Sequence, residues 1–214
     1  MKLNLALALS LLVTAVSAIA TDATTAPCPP PAAGAKPSCC SEEKVAAAQP
    51  LSDRSIYQLG ATWINDAGQP ATLVSLRGKP VVVAMFFAQC EYACPVLVQD
   101  MKRLLAALPE KVRGQAQLVL VTFDTERDTP AALRAFRERM ALDERWTLLR
   151  GDNESVQELA MLLGVKFKQD ARGQFAHSNL LTLMNAEGEI VHRHGGLNGD
   201  ISEAAKVFAL AAKK

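Results

Sequence analysis

Strands that alternate with helices predict a three-layer α/β domain around a central sheet. Three observations carry that expectation. Residues 81–87, VVVAMFF, form a continuous apolar run, as in a strand covered on both faces. Behind it, Val98, Met101, Leu104, Leu105 and Leu108 recur at helical spacing. A second apolar run, LVLVTF at 118–123, then repeats the strand pattern.

The elements follow in order. Short strands are expected at 55–62 and 72–76, joined near Asn65-Asp66-Ala67-Gly68, where Asp and Gly favour a turn. Arg77-Gly78-Lys79-Pro80 punctuates the chain before the central run. Pro95 suits the first turn of a helix that runs to about Leu108. Thr129 reads as a helix cap, with Pro130 at the first helical position of a helix reaching Met140. A short strand at 146–149 precedes another helix, in which Ser155 and Glu158 fit a capping box. Two further strands, 180–184 and 189–193, meet at Ala186-Glu187-Gly188, and a last helix starts near Ile201. In open α/β sheets chemistry gathers at the carboxyl ends of the strands, and Cys90 is expected at such an end.

With 23 basic and 22 acidic residues among 214, the formal net charge is +1. That balance excludes a surface built to neutralise nucleic-acid phosphates or to lie on anionic lipid; the partners are small molecules or proteins. Residues 1–20, MKLNLALALSLLVTAVSAIA, have the charged start, apolar stretch and small-residue ending of an export signal. The alternative is an uncleaved anchor, since the apolar stretch approaches the minimum that spans a bilayer. Either way the remainder is expected outside the cytoplasm, periplasmic or anchored to the outer face of the cytoplasmic membrane. Residues 21–50 hold six of the eleven prolines and almost no large apolar side chain, so they read as a disordered Ala/Pro-rich tether. Its three cysteines, Cys28, Cys39 and Cys40, admit a labile soft-metal site, a relay to other thiols, or adventitious disulfides. A segment without fixed ligand geometry favours the last. The folded domain is expected over 51–214.

The chemistry concentrates in FFAQCEYACPV, residues 86–96. If Cys94 lies in a first helical turn with Cys90 just before it, unpaired backbone N–H groups and the positive end of the helix dipole face both sulfurs. Thiolates are stabilised there, and thiol pKa values fall from about 8.5 toward neutrality. A three-residue separation lets the pair close as a disulfide or open to grip one ion. A static disulfide is the plain structural reading for an exported protein. Zinc fits less well, because the domain has no second cysteine pair at ligand spacing. Two thiolates and one more donor suit copper, since soft sulfur selects Cu(I) and imidazole supports Cu(I) and Cu(II). Three histidines are available: His177, in a loop after Gly173 ahead of an apolar strand, and His192 and His194, which share one strand face. Each alone reads as a surface or satisfied core residue. Met85 and Met101 read as core residues rather than thioether ligands.

Three segments together resemble the Sco/SenC family of copper-binding, thioredoxin-like proteins. FFAQCEYACPV (86–96) is similar to the family's C-x-x-x-C-P motif, VTFDTERDTPAALRAF (121–136) to its D-P-x-R-D-T-P segment, and HSNLLTLMNAEGEIV (177–191) to its H-S strand. The resemblance covers roughly residues 52–212. It implies a thioredoxin-like fold with a central mixed sheet and copper held by Cys90, Cys94 and His177. It also implies a role in maturing the copper A centre of cytochrome oxidase, with a copper-accepting oxidase subunit as partner and a periplasmic thiol reductant or copper donor as further partners. Asp124 matches the family's acidic residue near the site, as orienting group or loop cap; Asp128 reads as a turn or helix-start residue. Glu91, Thr125, Ala176, Thr182 and Ala186 depart from the family pattern, and none of them removes a ligand. The alternative function is a thiol-disulfide oxidoreductase using Cys90 and Cys94 as its redox-active dithiol, with Cys90 attacking. A peroxide-reducing enzyme is a third reading, without an activating threonine and arginine around Cys90 to support it.

Overall fold

The structure is a computed structural model that describes residues 50–212. The expected signal, and the tether up to residue 49 with its three cysteines, lie outside the described residues. A mixed seven-stranded sheet organises the domain, in the order β2-β1-β5-β4-β3-β8-β9. Its strands are β1 (Trp63–Asn65), β2 (Pro70–Ala71), β3 (Val81–Phe86), β4 (Gln117–Thr122), β5 (Trp146–Arg150), β8 (Leu180–Met184) and β9 (Ile190–Gly195). A separate hairpin pairs β6 (Phe167–Gln169) with β7 (Phe175–His177). The helices are α1 (Ala93–Ala107), α2 (Glu110–Gln115), α3 (Pro130–Arg139), α4 (Asn153–Leu163) and α5 (Ser202–Ala211).

Strands β3, β4 and β5 run parallel, while β8 pairs antiparallel with β3. The two crossovers, β3-α1-β4 and β4-α3-β5, step the same way along the sheet. The right-handed rule therefore places α1 and α3 on one face, and Lys102 of α1 donates to the Met140 carbonyl at the end of α3. Helix α5 packs beside α1. Every residue of β3 is buried, so the opposite face is covered too. Trp63, Phe86, Phe136 and Phe208 are the largest fully buried side chains, and the Phe86 and Phe136 rings lie 4.7 Å apart. Burial of each stabilises the fold by roughly 1.5–3 kcal/mol.

Strand β3, helix α1, strand β4 and the Thr129 cap follow the pattern in the sequence, and the Thr129 side chain accepts from the Ala132 N–H. Elsewhere the structure differs. Residues 55–62 contain not a strand but a 3-10 turn, Ile56–Gln58, capped by the Ser55 hydroxyl accepting from the Tyr57 N–H. Residues 72–76 likewise hold a 3-10 turn, Leu73–Leu76. The expected Asn65–Gly68 turn is present, but the strands it joins are β1 and β2. Helix α4 is capped three residues earlier than expected, by the Asp152 carboxylate accepting from the Ser155 N–H, because aspartate at the N-cap satisfies the same orphan donor as serine would. The α2 helix and the β6–β7 hairpin were not expected.

Candidate metal centre

Strand β3 ends at Phe86, and residues 87–92 carry the chain to α1. Helix α1 has Tyr92 at its N-cap with no side-chain cap bond. Its orphan donors are satisfied another way: the Cys94 N–H donates to the Cys90 sulfur, 3.2 Å away. Cys90 is thus the cap of the helix that contains Cys94. Cys90 is 8% exposed and Cys94 fully buried, and both are free thiols.

The loop before Cys90 is fixed at one residue. The Ala88 N–H donates to Asp128 Oδ2 at 2.8 Å, and the Ala88 carbonyl accepts from Arg139 Nη2 at 2.5 Å. Asp128 also accepts from the Thr122 hydroxyl at the end of β4. Asp128 is therefore a buried brace between β4 and the cysteine loop, not an ordinary turn residue. Burial pushes its carboxyl pKa up, and its Oδ1 has no hydrogen-bond partner.

His177 is the last residue of β7, opposite Phe167, rather than part of a loop. Its ring packs against Phe123, at 5.1 Å between centroids, and edge-on to Phe87 at 6.1 Å. Phe123 is in turn stacked on Phe167 and tilted against Phe175 and Phe87. Nδ1 of His177 lies 3.2 Å from the Ser178 carbonyl. An N–H at Nδ1 satisfies that oxygen, so Nε2 is the nitrogen a metal would take once it carries no proton, the usual way a metal-binding imidazole is oriented.

These placements bring one sulfur of Cys90, one of Cys94 and one ring nitrogen of His177 within 4.8 Å of one another. Three donor atoms this close together could be shared by a single ion. Among the described residues no other group of three His, Cys, Asp or Glu offers such a cluster. His192 and His194 lie on the edge strand β9, and His194 packs by Gly199; they are not part of the cluster. Asp124 is not in it either, and instead pairs with Arg127. Met85 and Met101 are buried in the core, as expected.

The two thiols are not equivalent. Hydrogen bonding from the Cys94 thiol holds the Cys90 pKa well below the ordinary thiol range; burial opposes this, while His177 and the backbone N–H groups of Cys94 and Tyr92 reinforce it. Cys94 is pushed up, first because its proton is engaged by Cys90 and then by burial, with the charge of Asp128 adding to the shift. The expectation that helix position lowers both thiols holds for Cys90 alone. The shifts describe a pair in which Cys90 favours the thiolate and Cys94, the more deeply buried of the two, keeps its proton and shares it with Cys90. Two thiolates and one imidazole form a donor set for a soft or borderline ion.

Three groups not anticipated from the sequence shape this centre: the aromatic packing around Phe123, the Arg139 and Asp128 braces on Ala88, and Arg127. Phe123, Arg127 and Asp128 lie in the segment 121–136, whereas Arg139 falls just past it and Phe87, Phe167 and Phe175 stand elsewhere in the chain. The sequence profile described as SCO1/SenC matches residues 56–212. A candidate copper-binding protein of Stutzerimonas stutzeri is 32% identical over 142 residues, covering 64% of this chain and 68% of its own. The structure of Bradyrhizobium japonicum ScoI with copper bound superposes with a TM-score of 0.59 at 24% identity, over 71% of this chain and 96% of that one. BsSco, described with a disulfide switch and as one of the Sco family of cytochrome c oxidase assembly proteins, gives 0.57 at 23% identity, over 70% and 91%. The expected thioredoxin-like α/β fold is the one these structures share.

Proposed function

The chain belongs to the SCO1/SenC family, and from that premise we propose that it is an exported copper chaperone. It holds one copper ion through Cys90, Cys94 and His177 and passes it to the copper-accepting subunit of a respiratory oxidase, at the copper A centre. The observation that carries this reading is the convergence of two sulfurs and one imidazole nitrogen within 4.8 Å. The copper named for the relatives from S. stutzeri and B. japonicum supports the choice of metal, and the assembly role named for BsSco supports the choice of partner. The export signal read at residues 1–20 supports a site outside the cytoplasm.

Copper, when bound, is cargo that leaves by ligand exchange; the protein's part is to present donors and manage a proton. Cys90 is already a thiolate, so it is the first donor an arriving ion meets. Cys94 must lose its proton to become the second donor. Because its pKa is raised, uptake near neutral pH releases about one proton per ion, and affinity rises with pH by about tenfold per unit.

The test is copper stoichiometry on the reduced full chain with Cys28, Cys39 and Cys40 changed to Ser. One copper per chain, lost in the Cys90→Ser/Cys94→Ser variant, is expected. Equal copper in both proteins would sink the proposal.

The asymmetry of the two thiols favours a second reading, a thiol-disulfide oxidoreductase that prepares a partner's cysteines. The Cys90 thiolate would attack a partner disulfide, forming a mixed disulfide and releasing one partner thiolate. Cys94 would then give up its proton and close the Cys90–Cys94 disulfide, releasing the second. That chemistry needs no imidazole ligand. Undiminished disulfide reduction by His177→Ala, with no tight copper in the wild type, would favour it.

A further inference from the structure

The hairpin that carries His177 belongs to neither edge of the main sheet: β6 pairs only with β7 among the described strands. Its two strands are three residues each, and a pair that short is marginal by its own hydrogen bonds. Something outside it must set where His177 points.

Arg127, in the loop between β4 and α3, makes that connection. Asp124, itself almost fully buried, accepts from Arg127 twice: its Oδ2 from Nε at 2.5 Å and its Oδ1 from the backbone N–H at 3.1 Å. With one edge of the guanidinium held, the other reaches the hairpin. Nη2 donates to the Gly173 carbonyl at 2.5 Å. The guanidinium also lies over the Phe175 ring, 5.7 Å from its centroid. Phe175 is two residues before His177, so the two side chains share a strand face, and both pack on Phe123. The approach is close at the tip as well. Gly173 has φ of 76°, and a Cβ there would come within 3.1 Å of Arg127 Nη1.

We propose that Arg127 is a positioning residue, a latch that ties the β4–α3 loop to the β6–β7 hairpin and thereby holds the His177 imidazole against the two thiolates. The inference rests on the copper reading above and adds to it a selectivity between oxidation states. Soft thiolates select Cu(I) by themselves, whereas the imidazole is the donor of the three that also suits Cu(II). A latched hairpin therefore favours Cu(II) retention, and a released one leaves a two-sulfur Cu(I) site. A partner that displaced Arg127 from Gly173 would loosen the third ligand without touching the metal.

Lysine separates the latch from simple charge balance. Arg127→Lys keeps a cation beside buried Asp124 but lacks the fork that spans Asp124 and Gly173 together. The experiment compares wild type, Arg127→Lys and Arg127→Ala in the full chain with the three tether cysteines changed to Ser. Amide hydrogen exchange is read first on metal-free protein. Peptides covering 167–177 are expected to exchange several-fold faster in both variants, with β3 and β4 unchanged as the sign that the fold is intact. Competition titrations come next: Cu(II) affinity is expected to fall about tenfold, at the lower end of losses seen when a ligand's supporting contact is removed, while Cu(I) stoichiometry stays at one. Unchanged exchange at 167–177 in both variants would overturn the latch, as would a proportional loss of Cu(I) and Cu(II) binding. Failure of the copper reading itself is distinguishable. Wild-type protein whose Cu(II) binding ignores His177→Ala would remove the selectivity, whereas the exchange comparison needs no metal.

Discussion

Cys90 and Cys94 follow β3, a strand with no exposed residue that is hydrogen-bonded on both edges. His177 ends β7, a three-residue strand whose only ladder partner among the described residues is β6. The thiol loop is further braced through both backbone polar groups of Ala88. The imidazole is placed by side chains: Phe123 and Phe87 against its ring, and Arg127 at the hairpin tip. One region rests on a buried strand bonded on both edges, with the Asp128 and Arg139 side chains as added braces; the other rests on a few aromatic and ionic contacts. A site divided in this way can keep its two sulfurs in register while the imidazole shifts.

The contrast is tested most severely at the rigid half. Replacing Cys94 by Ser is expected to remove tight copper altogether, measured as bound metal after desalting, because a lone thiolate and an imidazole remain. Next in size is the difference in thiol reactivity. Since the Cys90 pKa is lowered, it stays ionised across pH 6 to 8, and its alkylation rate should be nearly flat there. An ordinary cysteine's rate rises roughly a hundredfold over that range, following its thiolate fraction. Mass spectrometry of the reduced chain should find Cys90 alkylated first and Cys94 protected, and equal labelling of both would contradict the proton-sharing pair.

At the adjustable half, Phe123→Ala removes the ring that packs on His177, Phe167, Phe175 and Phe87. A loss of roughly 3–5 kcal/mol in urea unfolding is expected, together with weakened Cu(II) binding in the protein that remains folded. The smallest effect belongs to a helix cap that touches none of the three site residues. Thr129→Ala deletes the cap of α3 and should cost about 1 kcal/mol, with copper stoichiometry unchanged.

The same division decided what could be read from the sequence. The apolar run of β3 and the helical spacing of α1 reflect burial, which leaves a strong periodic trace, and the two cysteines inherited their placement from it. Residues 167–169 and 175–177, FKQ and FAH, are too short and too polar to announce strands, so His177 read as a loop residue. Its link to the cysteines came from resemblance and not from pattern. Asp128 read as a turn residue because nothing local shows that its carboxylate reaches Ala88, 40 positions earlier in the chain. Arg127 stood in the recognised segment, yet its bond to Gly173 spans 46 positions and only the fold reveals it. The capping box at Ser155 failed for a local reason: Asp152 offers an equivalent oxygen three residues earlier.

The most direct test of a three-donor centre is pulsed electron paramagnetic resonance of the Cu(II)-loaded full chain with Cys28, Cys39 and Cys40 changed to Ser. Hyperfine coupling to one imidazole nitrogen is expected in the wild type and should vanish in His177→Ala while persisting in His192→Ala and His194→Ala. Imidazole coupling that survives His177→Ala, or that is absent from the wild type, would contradict a centre built from Cys90, Cys94 and His177.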